Sequence, residues 1–264
     1  CTMKINNLFD ITDKKILVTG SSQGNGFAIA KSLIQNKAKV IATDKNITNL
    51  NKAFSQSKNN KLMSHNIDLF AADLADSKSI NSLCKYIKKN HKDLSCIINN
   101  AGITISNELH KYSENDWDLT YKVNLKAPFQ IIKNLSLLLK KNYKSNPSII
   151  NITSLNSTLA FPNNPAYMSF KGGLSQLTKS VANDLGKFNI RCNSVSPGYI
   201  ITNMTKKSYS STNKKKLIAS KTMFNRWGKS EDLIGTIIFL LSDASNYITA
   251  QNIFVDGGWS SKGI

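Results

Sequence analysis

The sequence predicts an α/β fold, a doubly wound parallel seven-stranded sheet with helices on both faces, and three observations predict it. Short apolar runs of β type alternate with helical stretches from end to end. The first run closes on a glycine-rich turn, TGSSQGNG at 19–26, which leads at once into a helical stretch. No internal repeat, Pro/Gly linker or low-complexity tract divides the 264 residues, so one domain over 1–264 is expected. Strand, crossover helix and parallel strand join almost always in the right-handed sense, and repeating that unit gives the doubly wound sheet.

In chain order the strands are KILVTG (15–20), KVIATD (39–44), NIDLFAAD (66–73), LSCIINNAG (94–102), SIINITS (148–154), IRCNSVSPG (190–198) and NIFVDGG (252–258). Helical segments fall at 24–36, 77–90, 115–141, 164–186 and 230–242. Such sheets bind ligands beyond the carboxyl ends of their strands, so the residues closing each strand are the candidates for chemistry.

Composition narrows the classes. A hydrophobic share of 41% supports a substantial core, and no apolar run approaches the ~18–20 residues of a membrane span. CTMKINNLFDITDKK lacks the apolar centre of a signal peptide, and Cys1 and Thr2 read as a remnant ahead of a natural start at Met3. Cys84, Cys96 and Cys192 are far apart and His65, His91 and His110 adjoin no ligand cluster, so neither a metal site nor a disulfide framework is expected. A reduced, cytoplasmic setting fits that cysteine usage. The net charge of +19 comes from scattered lysines, without an arginine-rich block or interleaved aromatic platform, and implies no specific nucleic-acid partner and no membrane.

The strand ends carry the motifs. Gly20, Gly24 and Gly26 let the backbone approach a pyrophosphate seated on the helix N-terminus, with Ser22, Gln23 and Asn25 in the same loop. Asp44 closes the second strand eighteen residues after Gly26, where an acidic residue meets adenosine ribose hydroxyls. Asp73, followed by Leu74, ends the third strand, placed to face an adenine or to cap the next helix. In AYMSFKGGL (166–174), Tyr167 and Lys171 share one helix face at i and i+4.

Taken together, T-G-x-x-x-G-x-G, NNAG at 99–102, Asn124 in YKVNLKAPF, Ser154 thirteen residues before Tyr167, Y-x-x-x-K, SPGYIIT at 196–202 and a closing VDGG at 255–258 resemble the short-chain dehydrogenase/reductase superfamily over nearly the whole chain. Asn25 stands where that family has an aliphatic residue, and Phe170 where it has a small one. The resemblance implies a single Rossmann domain and a catalytic set of Asn124, Ser154, Tyr167 and Lys171. It implies NAD, or possible NADP, as cofactor, held by the glycine loop, Asp44, Asp73, Leu74, Asn100, Ala101, Gly102, Tyr167, Lys171, Pro197, Gly198, Ile200 and Thr202. Asp44 would repel a ribose phosphate, which favours NAD.

Ketone reduction needs a hydride and a proton. The phenol of Tyr167 is the obvious acid, yet a pKa near ~10 makes it a poor base for the reverse reaction at neutral pH. Lowering it by about three units takes roughly 4 kcal/mol, which the Lys171 ammonium and a cationic nicotinamide are expected to supply. Ser154 is expected to hold the substrate oxygen, and by resemblance Lys171 also grips the nicotinamide ribose while Asn124 anchors a relaying water.

On the substrate side the resemblance points to Ser154, Asn156, Phe161 and Tyr199 and to a lid at about 203–226, Ser-rich and expected to be a loop mobile until something binds. Its Lys206, Lys207, Lys214, Lys215, Lys216 and Lys221 would favour a substrate carboxylate if one turned inward, and otherwise form a solvated face. RWGKSEDLIGTIIFLLSDAS with a short tail after VDGG is similar to the sugar-acid branch, the gluconate 5-dehydrogenases, with 3-oxoacyl-carrier-protein reductases as the alternative. From another class, a catalytically silent dinucleotide sensor or nucleic-acid-binding protein is the third reading. A homo-oligomer, tetramer or dimer, is also implied.

Overall fold

The computed structural model describes residues 5–55 and 65–263, so the reading of Cys1 and Thr2 lies outside it. The strands are β1 Lys15–Thr19, β2 Lys39–Asp44, β3 Ile67–Ala71, β4 Leu94–Asn99, β5 Ser148–Ile152, β6 Arg191–Pro197 and β7 Asn252–Val255. They form one sheet of order β3-β2-β1-β4-β5-β6-β7, every neighbouring pair parallel, with registers such as Val18 on Ala42 and Ile98 on Ile150. The order reverses between β1 and β4, which opens a crevice at their carboxyl ends.

The helices are α1 Ile5–Leu8, α2 Gly24–Gln35, α3 Ile47–Phe54, α4 Ser77–Asn90, α5 Glu114–Tyr121, α6 Ala127–Lys141, α7 Pro165–Gly186, α8 Lys206–Ser210, α9 Thr212–Lys221 and α10 Ile234–Leu241. Side chains alternate across each strand, so Ile16 and Val18 of β1 join Ile29 and Leu33 of α2 and Ile237 of α10 in one core. Leu17 joins Leu83, Ile87, Ile131 and Leu135 of α4 and α6 in the other. Each of these side chains is buried, worth roughly 1.5–3 kcal/mol apiece in apolar area removed from water.

Three expectations need correction. The segment 115–141 is not one regular helix, because Lys122–Lys126 widens to a π-turn between α5 and α6. Pro128 has no N–H to give the carbonyl four residues back, that of Asn124, and its ring crowds it, so the widening follows from the sequence. The segment 230–242 opens as a 3-10 turn, Ser230–Leu233, before α10. The lid is not a loop: it folds as α8 and α9, with all six lysines exposed. None is buried: Lys215 lays its Nζ 4.4 Å from the Tyr209 ring centre, and the six together form an exposed face.

Candidate active site

The glycine loop leaves β1 with Gly20 at φ +68 and Gly24 at φ +56, the left-handed region that favours glycine. At Gly26 the constraint is contact: a Cβ would lie 2.0 Å from the Gly20 carbonyl oxygen and 2.4 Å from Asn100 Nδ2. Asn100 holds the loop from β4's end by donating Nδ2 to the carbonyls of Thr19 (2.9 Å) and Gly20 (3.2 Å). In return Thr19 Oγ1 accepts the N–H groups of Asn100 and Ala101, both at 3.0 Å. Thr19 was not singled out from the sequence, although it is the first residue of the TGSSQGNG turn.

The N-terminus of α2 has no side-chain cap and no acid in its first turn, leaving its N–H groups for a phosphate. Those features fit a dinucleotide. Gln23 accepts from Asn203 Nδ2 at 2.7 Å and Asn25 from Ser230 Oγ at 2.8 Å, which ties the loop to the lid's start and to the turn before α10. Asn25, the departure from the family pattern, thereby has a partner an aliphatic residue could not engage.

Asp44 sits at the end of β2. One carboxylate oxygen accepts from Ser22 N (3.0 Å) and Ser22 Oγ (2.7 Å), the other from Lys45 N (2.7 Å). Lys45 Nζ is paired 2.9 Å away with Asp73, so its charge is already matched. Burial lifts the Asp73 carboxyl, but Lys45 and the Ala75 N–H hold it below the ordinary carboxylate value. Asp73 does not cap the next helix; Asp76 does, accepting from the N–H groups of Lys78 and Ser79 at the start of α4. Leu74 is buried beside it.

Ser154 follows β5, and its hydroxyl donates to Asn156 Oδ1 at 3.1 Å while accepting from Asn156 N at 3.2 Å. On α7, Lys171 is 2% exposed and gives its Nζ to the Ile152 carbonyl at 2.6 Å, with the Tyr167 ring centroid 5.7 Å away. Burial brings the Lys171 ammonium down to about 8. Tyr167 departs from expectation. Burial pushes its phenol up, the hydrogen bond with Ser154 pulls it back, Tyr199 raises it further, and the net position is above the ordinary value. The Lys171 ammonium is spent on Ile152, and the dehydration of the phenol outweighs what it was expected to do. Phe170, the other departure from the family pattern, packs against Trp117 and Tyr121, ring centroids at 4.8 and 5.4 Å.

Asn124 lies fully buried in the π-turn, its amide paired both ways with the backbone of Ile103, Oδ1 accepting at 2.9 Å and Nδ2 donating at 2.8 Å. A Cβ on Gly102 would come within 3.3 Å of Lys171 Nζ and 3.4 Å of Asn124 Oδ1, so both face the same glycine. After β6, Gly198 passes so close to Asp256 that a Cβ would lie 2.8 Å from its Cα. Ile200 bridges to Gly228, and Thr202 lies against Gly24 with its N–H on Thr205 Oγ1 at 3.0 Å. Glycine loop, β4 end, β5 end, α7 and the Pro197–Thr202 segment thus meet at one carboxyl edge of the sheet. No group of acidic, His or Cys side chains suited to a metal occurs among the described residues, and Cys84, Cys96 and Cys192 are free and buried.

Comparison with known proteins agrees with this geometry. The family model described as Enoyl-(Acyl carrier protein) reductase matches residues 20–260. L-xylulose reductase of Caenorhabditis elegans is 32% identical over 257 residues, 96% of this chain and 98% of the relative. The 3-oxoacyl-acyl-carrier-protein reductase of Thermotoga maritima is 32% identical over 245 residues, 93% and 97% of the two chains. The crystal structure of a gluconate 5-dehydrogenase from Burkholderia cenocepacia J2315, in complex with NADP and tartrate, superposes with a TM-score of 0.90 at 26% identity, covering 97% of this chain and 99% of that one. The chain therefore belongs to the short-chain dehydrogenase/reductase superfamily, and is an oxidoreductase acting between CH–OH and C=O with NAD(P).

Proposed function

We propose that this single-domain enzyme interconverts a secondary alcohol and a ketone on a small sugar or sugar acid, with Tyr167 as the proton donor and acceptor. The observation that carries the reading is the meeting of Ser154, Tyr167 and Lys171 beside a glycine loop whose α2 N-terminus is uncapped. NAD(P) would carry the hydride, given up by its reduced form to a ketone and taken by its oxidised form from an alcohol, and would be held by the loop, Asp44, the Asn100–Gly102 backbone and the Pro197–Thr202 segment.

The chain's own residues do the rest. A phenol held above its ordinary value is fully protonated at neutral pH, ready to donate to a developing alkoxide. Ser154 Oγ exchanges its Asn156 partner for the substrate oxygen and so fixes the carbonyl beside Tyr167. Lys171 keeps a positive charge there below pH ~8, with its Nζ and the Asn124 amide oxygen both packed against Gly102.

Asp44, with Lys45 already neutralised by Asp73, favours NAD over NADP. A homotetramer is supported by the outward Trp117, Leu119, Phe129 and Leu137 of α5 and α6, and a monomeric mass by light scattering at micromolar concentration would contradict it. A cytoplasmic setting rests on free cysteines and on the lack, among the described residues, of a helix long and apolar enough to cross a membrane. The exposed lysines of the lid favour one second reading, a 3-oxoacyl-carrier-protein reductase engaging an acidic carrier. Following NADH and NADPH absorbance against sugar acids, sugar ketones and acyl thioesters separates the two: turnover confined to thioesters would overturn the sugar reading.

A further inference from the structure

The closing VDGG has a task that the cofactor site does not use. Gly257 (φ +65) and Gly258 (φ +83) take consecutive left-handed conformations, and Asp256 fixes the reversal by accepting from Gly258 N at 2.9 Å and Ser260 N at 2.8 Å. The tail therefore folds back over the carboxyl edge and lays Trp259 on Tyr199, ring centroids 5.2 Å apart and planes 17° from parallel. Phe161, seven residues beyond Ser154, meets both rings at an angle, 5.9 Å from Trp259 and 6.2 Å from Tyr199.

These three rings come from the ends of β5, β6 and β7, the edge that also bears Ser154. Tyr199 stands near enough to Tyr167 to oppose charge on its phenol. All three are only half-buried, so apolar ring surface stays open. The tail is also anchored to the lid: Met223 N bonds Gly257 O at 2.8 Å, and Lys262 Nζ donates to the carbonyls of Ser220 (2.6 Å) and Thr222 (3.1 Å) at the end of α9. Ring faces are electron-rich and apolar, suited to the C–H side of a polyol, while Ser154 and Asn156 offer hydroxyl and amide groups to its polar rim. The lid lysines are all exposed and the lid's Arg226 is already paired with Asp232 at 2.7 Å, so no lid cation stands ready to read a carboxylate.

We propose that Trp259 is a specificity-determining residue: with Tyr199 and Phe161 it forms an aromatic wall that packs the C–H face of a sugar-derived substrate, acidic or neutral alike. This rests on the sugar reading above. The test measures kcat and KM for gluconate with NAD+ and for L-xylulose with NADH, in wild type, Trp259→Leu, Trp259→Phe and Phe161→Leu, each checked by thermal melt. Leucine fills space without a ring face, so Trp259→Leu is expected to raise both KM values about tenfold with kcat within about threefold, and Trp259→Phe to stay within about threefold in KM. Phe161→Leu probes the wall from another segment, and the same rise is expected should Trp259→Leu not fold. Unchanged KM in the leucine variants, a fall in kcat alone, or a loss confined to gluconate would overturn the wall while leaving the sugar reading standing. A wild type inactive on both substrates overturns the sugar reading, and the wall falls with it.

Discussion

Replacing Lys171 by Met separates what the residue does for the enzyme from what it does to the fold. The ammonium is 2% exposed, and its burial takes its pKa from 10.5 to about 8. That gap corresponds to ~3 kcal/mol of resistance to carrying the charge inside the folded protein. Methionine fills a similar volume without charge, but forfeits a charged hydrogen bond to the buried Ile152 carbonyl, a loss of about 2 kcal/mol. The cofactor-free variant is therefore expected to be more stable than wild type at pH 7, by about 1 kcal/mol, or a few degrees in Tm.

The pH dependence has a fixed sign. A lysine whose folded pKa lies below its unfolded one is a burden wherever the folded form must bind the proton, in full below about 8 and vanishing above about 10.5. Melts of both proteins from pH 6 to pH 10 are expected to converge as pH rises, while cofactor affinity and turnover of Lys171→Met both collapse. A variant that melts well below wild type at pH 7, with a gap that does not change up to pH 10, would show the ammonium to be a net stabiliser and refute the reasoning.

Three further outcomes are expected. Tyr167→Phe removes only the transferable proton, so turnover disappears while cofactor affinity, read by fluorescence titration, stays within a few-fold; substantial residual activity would reject Tyr167 as the acid. Gly26→Ala drives a methyl into the Gly20 carbonyl and the Asn100 amide, costing about 1–3 kcal/mol and at least tenfold in cofactor affinity; Gly235→Ala, which meets nothing within 4 Å, is the neutral control. Wild type is expected to use NADH more efficiently than NADPH, because a ribose phosphate at Asp44 meets a like charge worth up to ~4 kcal/mol before screening. Asp44→Asn narrows that ratio, and equal or better efficiency with NADPH in wild type would overturn the assignment.

Much of this was legible in the sequence because each signal was local. The seven strands were apolar runs, and the glycine turn and Y-x-x-x-K are short motifs whose geometry follows from their own spacing. β2 ends at Asp44 as expected, and the other strands end one to three residues early, as at Asn100 and Ser154, where the chain turns into the site. Helix α3 escaped notice because NITNLNKAF is polar and brief, its only core contribution being Leu50 and Phe54 at i and i+4. The lid helices were hidden by Ser and Lys in segments with a single buried residue, Ile218. The upward displacement of Tyr167 was not legible, since burial is a sum over the whole fold. Nor were the ties of Gln23 to Asn203 and Asn25 to Ser230, whose partners lie 180 and 205 residues away.

The clasp between Thr19 and Asn100 has a consequence for the order of assembly. Its two halves are 81 residues apart in the chain, and they meet only once β1 and β4 lie side by side. A chain emerging N-terminus first can form β1, α2 and β2 long before β4 exists, yet its nucleotide loop then lacks the amide that fixes the Thr19 and Gly20 carbonyls. Competence to bind dinucleotide thus arrives late, with the central strand pair, and the ligand selects finished molecules rather than templating unfinished ones. Adding cofactor during refolding is accordingly expected to slow unfolding without speeding folding.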